Sequence, residues 1–74
     1  MKQNKIIEGL EEAESHKYRL WDKVQKRKGY RWPGIIVCCF HTLKGKARYN
    51  VECVAPGAEG ALHIFSNADL KRRR

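Results

Sequence analysis

The chain has no long apolar run, no C-x-x-C pair and no glycine-rich phosphate loop of the G-x-G-x-x-G or P-loop type. The first absence leaves nothing of the roughly 20-residue length that a membrane-crossing helix needs, and no leader with an apolar centre. The second leaves His16, His41 and His63 without the paired spacing of a metal site, so no metal is expected. The third means that any nucleotide must be held by something other than a phosphate-cradling loop. Serine occurs only as Ser15 and Ser66, neither in a nucleophile elbow, and no two carboxylates are placed for paired acid–base work. Cys39 and His41, two apart on one face of an expected strand, are a geometrically allowed nucleophile and base. The plainer expectation for Cys39 is a buried structural thiol. The three cysteines are an odd number, and Cys38 and Cys39 are adjacent, which points them to opposite faces of a strand. A disulfide staple is therefore not expected, and the thiols suit a reduced, cytoplasmic setting.

At 74 residues the chain makes one domain, and a core that small is marginal alone. With neither disulfide nor metal to brace it, assembly is the remaining solution, and a homo-oligomer is expected. Acids are scarce: eight Asp and Glu against sixteen Lys and Arg give a formal charge of +8. The excess lies in residues 23–28, 44–48 and 71–74. Such a surface attracts polyanions, whether nucleic acid, anionic nucleotides or polyglutamated ligands.

Residues 1–17 read as an arm outside the core, with Glu8, Glu11, Glu12 and Glu14 holding half of all the acids. Ile6, Ile7 and Leu10 recur at helical spacing, so the arm is flexible or partly helical. Residues 18–74 read as β. A first strand spans 20–26, with Leu20, Asp22, Val24 and Lys26 on one face. Trp32, Pro33 and Gly34 read as a turn. Residues 34–42 are the strongest strand, β-branched and continuously apolar, so both of its faces should be covered, one by a second subunit. A hairpin turn at 44–46 leads to a return strand over 47–54, with Tyr49, Val51 and Cys53 opposite Arg48, Asn50 and Glu52. A loop over 55–60 precedes a strand at 61–65. A tight helical turn at 66–70 and a last short strand at 71–73 close the chain. Short strands joined by Gly/Pro turns predict an all-β fold, a small SH3-like antiparallel barrel of about five strands. In the fourth strand Leu62 and Ile64 point one way while His63 and Phe65 point the other. The latter face carries an imidazole able to stack, donate or accept. Lys26, just before the basic loop, suits a phosphate or carboxylate.

Residues 22–37, DKVQKRKGYRWPGIIV, resemble the first half of the plasmid-borne type II, trimethoprim-insensitive dihydrofolate reductases, which have an acid, a basic V-x-K-K run, a glycine and W-x-G-x-I-V. Gly45, Tyr49-Asn50-Val51-Glu52, Pro56-Gly57, Leu62-His63-Ile64-Phe65 and Leu70-Lys71-Arg72 continue the likeness, which spans about residues 20–72. The resemblance implies an SH3-like barrel that assembles as a homotetramer around one central pore, where NADPH and dihydrofolate meet. It places Lys26 at the pore mouth, drawing phosphate and glutamate tails, and Trp32 at an interface. The family's pore strand V-Q-I-Y falls on Leu62, His63, Ile64 and Phe65. His63, Ile64 and Phe65 become the catalytic residues, and Lys26, His63 and Ile64 the cofactor-binding ones. Ile64 would offer backbone groups to both rings. This chain has His63 where the family has glutamine and Phe65 where it has tyrosine. A reductase of this kind has no dedicated general acid and takes its proton from water. It works by holding two planar rings at stacking distance. The residues also fit a second reading, a non-catalytic basic SH3-like module of phage or plasmid origin. Such a module would use the basic clusters with Tyr30, Trp32 and Phe65 to hold nucleic acid or an acidic protein.

Overall fold

The structure is a computed structural model that describes residues 13–73. Five strands, β1 (Lys23–Lys26), β2 (Pro33–His41), β3 (Ala47–Cys53), β4 (Leu62–Ser66) and β5 (Leu70–Arg72), pair antiparallel in the order β4-β3-β2-β1-β5. One 3-10 turn, η1 (Asn67–Asp69), carries the chain from β4 back to β5. The fold is all-β, the small five-stranded barrel that the turn spacing predicts. The alternation in β3 sets its inside and outside. Ala47, Tyr49, Val51 and Cys53 are buried, and Arg48, Asn50 and Glu52 face outward. Around Tyr49 and Val51 the core gathers Tyr18, Val24, Ile36, Phe65 and Leu70. Each such side chain contributes about 1.5–3 kcal/mol by leaving water.

The first strand is shorter than the alternation suggests. Residues 19–22 form a turn in which Asp22 N–H donates to the Arg19 carbonyl at 3.0 Å, while the Asp22 carboxylate accepts the Arg19 N–H at 2.9 Å. The turn drives Trp21 to φ +74° and leaves its side chain 66% exposed. Pro33 and Gly34 belong to β2 rather than to a turn. Proline opens the strand, where its missing N–H costs least. Gly34 lies so close to β3 that a Cβ there would overlap the Glu52 carbonyl and come within 2.6 Å of Val51 Cγ1.

β2 departs most from expectation. Its register against β3 slips between Ile36 and Cys38, so Val37 is bulged. Only its first half faces the core. Cys38 and Cys39 are both exposed and free, so Cys39 is not a buried structural thiol. His41 gives its Nε2 to the Glu14 carbonyl at 2.8 Å rather than serving a thiol.

The end of the expected arm is tied to the barrel. Glu14 N–H donates to Gly45 O at 2.8 Å, and the Glu14 carboxylate accepts the Ala47 N–H at 2.8 Å. His16 Nε2 donates to the carbonyls of Phe40 and Arg48 at 2.9 and 3.1 Å. The helix suggested by Ile6, Ile7 and Leu10 lies outside the described residues.

Gly34→Ala should destabilise the fold by about 2 kcal/mol or more, because backbone on backbone cannot give way. Trp21→Gly should cost nothing, since it removes a strained φ at an exposed site. Thermal melts of the two variants check the contrast, and a Gly34→Ala melt equal to wild type would overturn it.

Candidate functional site

His63 enters β4 opposite Val51, on the inward-facing side, but beyond the edge of the core, so its ring is exposed. Phe65, two residues on, is 2% exposed and lies under it, ring centroids 4.7 Å apart and tilted by 33°. Trp32 stands beside the imidazole at 5.3 Å, fixed by its indole N–H, which donates to the Val51 carbonyl at 3.1 Å. Tyr30 closes the third side at 5.9 Å, with its hydroxyl 3.2 Å from His63 Nε2. The imidazole thus sits in a slot of three aromatic rings with one edge open to solvent.

Lys26 reaches the same slot from β1. Its Nζ lies 4.7 Å from the Tyr30 ring centroid, a cation–π distance, and it donates to the Lys28 carbonyl. Behind it, Lys26, Arg27, Lys28, Ala68 and Asp69 line a cavity of about 270 Å³. Asp69 is its one acid. The Ser66 N–H donates to the Asp69 carboxylate at 3.0 Å, and this bond is the main cause holding the carboxyl below the usual range. The cavity therefore presents three cations against one ionised acid, a setting for an anionic group.

Ile64 takes the other face of β4, opposite Asn50, with its side chain 54% exposed. Cys53 N–H donates to Ala61 O at 2.8 Å. Antiparallel alternation from that bond turns the N–H and C=O of residues 61, 63 and 65 toward β3. The main-chain groups of Leu62 and Ile64 then point away from β3, and β4 is the last strand of the sheet on that side. This edge offers a donor and an acceptor at Ile64 to whatever lies alongside.

Of the residues singled out by sequence, Lys26, Tyr30, Trp32, His63 and Phe65 come together in one chain of contacts. Ile64 lies between His63 and Phe65, with its side chain on the opposite face and its main-chain groups at the sheet edge. The Phe65 ring belongs to the core and backs the His63 imidazole. Ala68 and Asp69 are new to the site. Only tertiary folding brings them beside residues 40 or more positions earlier, and no local pattern marks them.

The basic tail is partly consumed by structure. Arg72 pairs with Asp22 at 2.9 Å, and the Arg73 guanidinium donates to the carbonyls of Val24 and Gly34 at 3.3 and 3.2 Å. Cys39 is exposed as a residue, but partial desolvation of its Sγ pushes the thiol up and leaves less thiolate at neutral pH. Among the described residues, no three His, Cys, Asp or Glu side chains are grouped to hold a metal ion. No helix there is long and apolar enough to cross a membrane. No protein-family model matches the chain, and no curated protein matches it.

The Asp69 bond gives a pH dependence. A depressed carboxyl adds stability that is present above the ordinary carboxylate range and is lost as pH falls through the folded-state value. Asp69→Ala should cost about 0.5–1 kcal/mol at neutral pH, scaled to an exposed cap. The gap from wild type should begin to narrow near the ordinary Asp value of about 4 and close as pH falls on through the lower folded-state value. Melts across pH check it, and a gap that persists at low pH would count against the assignment.

Proposed function

We propose that this chain is a divergent type II dihydrofolate reductase. It would reduce dihydrofolate with NADPH in the central pore of a homotetramer and be insensitive to trimethoprim. The observation that carries the reading is the β4 edge. There His63 is held in a ring-lined slot, the main chain of Ile64 is open, and Lys26 stands within a cation–π contact of the same slot. The groups present fit the two ligands. The imidazole and its aromatic walls suit planar rings, the Ile64 amide and carbonyl suit the hydrogen-bonding edge of nicotinamide or pterin, and Lys26 with the basic cavity suits phosphates or glutamate carboxylates. NADPH, when bound, supplies the hydride. The chain's own contribution is to stack, orient and screen from water, with no general acid, so the proton comes from solvent. Phe65 supports the imidazole from beneath.

A second reading is a non-catalytic basic module of phage or plasmid origin that binds nucleic acid or an acidic protein. It is favoured by the exposed Tyr30 beside Lys28 and Arg31, a stacking surface with cations next to it.

Measured molecular mass and an NADPH titration separate the two. The reductase reading expects a tetramer, saturable NADPH binding, and dihydrofolate-dependent NADPH oxidation that trimethoprim does not inhibit. A tetramer without NADPH binding or turnover would overturn it. A monomer or dimer whose DNA or RNA binding falls steeply with salt would favour the module. Lys26→Met should weaken NADPH binding about tenfold, the worth of one charge-assisted hydrogen bond, and flatten its salt dependence. Unchanged affinity removes Lys26 from the site.

A further inference from the structure

The His63 imidazole has two ring nitrogens, and the fold commits one of them. Nε2 lies 3.2 Å from the Tyr30 hydroxyl, while Nδ1 has no hydrogen-bond partner among the described residues. The slot walls cannot supply one. Phe65 is apolar, and the Trp32 indole N–H is already given to the Val51 carbonyl at 3.1 Å. Tyr30 is itself held in place. Its ring meets Trp32 edge-on at 6.0 Å, and the Lys26 ammonium stands over it at 4.7 Å. Trp32 and Phe65 flank the imidazole at 5.3 and 4.7 Å, which restrains it to this one orientation. A phenol is a stronger acid than a neutral imidazole N–H, and an imidazole nitrogen is a stronger base than a phenol oxygen. The Tyr30 hydroxyl therefore donates, and His63 Nε2 accepts.

We infer that Tyr30 is a positioning residue that fixes His63 as the Nδ1–H tautomer, so that the slot shows an incoming ligand an N–H donor rather than an acceptor. In free neutral histidine the hydrogen favours Nε2. The phenol reverses that preference, because the bond made by one ring nitrogen sets the state of the other. The two nitrogens flank one ring carbon and aim their in-plane bonds apart, so the donor is directed away from Tyr30. A ligand class follows. A flat heterocycle with a carbonyl oxygen at its rim gains a hydrogen bond from Nδ1. One with an amino group at the same place sets donor against donor and is refused. Folate and its 4-amino analogue are such a pair. They share a glutamate tail and a ring skeleton, and differ by an oxo or an amino group at one rim position. The ligand preference rests on the reductase reading, whereas the tautomer does not.

Nitrogen NMR of the isotope-labelled full chain tests the tautomer, at a pH well above the ordinary histidine value of about 6.5. Couplings from the ring C–H protons show which nitrogen carries hydrogen, and His63→Gln assigns the signals. The native chain should carry the His63 hydrogen on Nδ1. Tyr30→Phe keeps the ring and removes the hydroxyl, so most of that hydrogen should return to Nε2 while the thermal melt stays unchanged. Hydrogen on Nε2 in the native chain sinks the assignment, and so does a tautomer that Tyr30→Phe leaves where it was. Titrations with folate and with its 4-amino analogue test the preference. The native chain should bind folate about tenfold more tightly, and Tyr30→Phe should bring the two within about threefold. Equal affinities in the native chain remove the ligand preference. A chain with hydrogen on Nδ1 that binds neither compound nor NADPH loses the reductase reading, and the preference with it, but keeps the role of Tyr30. One that reduces dihydrofolate with hydrogen on Nε2 does the reverse.

Discussion

Tyr49 and the strand that carries it are the constraint on which the structure depends. Its ring is wholly buried, so its hydroxyl must find partners inside. It accepts the Tyr18 N–H at 2.9 Å and donates to Asn67 Oδ1. The Asn67 amide in turn donates to Ser15 O and to the Glu14 carboxylate, at 2.8 and 3.3 Å. One buried phenol thus ties the segment entering the barrel, the central strand and the 3-10 turn into a single network. A network of this kind is costly to satisfy only in part, which is a reason for all its members to stay in one arrangement. Burial is also the main cause pushing the Tyr49 hydroxyl above its ordinary range, so the phenol stays protonated at neutral pH.

That network braces one end of the barrel, and the aromatic slot lies at the other. The strap of residues 14–18 lies across the β2–β3 hairpin, near Ala47. The aromatic slot lies at the Val51 end of the same strand. β3 therefore serves three surfaces. Its inward residues build the core, its far end anchors Trp32 beside His63, and its outward row carries Arg48, Asn50 and Glu52. Gly34 permits this, since only a residue without a side chain lets β2 approach β3 closely enough to keep Val51 and Ile36 in one core.

The hairpin, the alternation in β3, the order of all five strands along the chain and the placing of His63 with Phe65 were legible because each rests on period two and on turn residues. Three features were not. Trp21 reads as a strand residue until the Arg19–Asp22 turn forces it left-handed. Pro33 reads as a turn until its place at the start of β2 makes the missing N–H harmless. Cys39 reads as core because a continuous apolar run carries no sign of where a barrel ends. For the site, Lys26 and His63 stand out by type and position, whereas Asp69 and Ala68 are ordinary in sequence.

What the sequence by itself determined is the local grammar: which stretches are strands, which side chains share a face, and where cationic charge is concentrated. These follow from steric limits on φ and ψ and from two-residue alternation, which act over a few neighbours. Tertiary structure alone decided that the basic loop folds Tyr30 and Trp32 around His63, that η1 brings Asp69 to the Lys26 cavity, and that Asn50 Oδ1 is buried with no partner among the described residues. Those outcomes depend on contacts between residues tens of positions apart, whose meeting is fixed by how the sheet curls and closes rather than by any pattern along the chain.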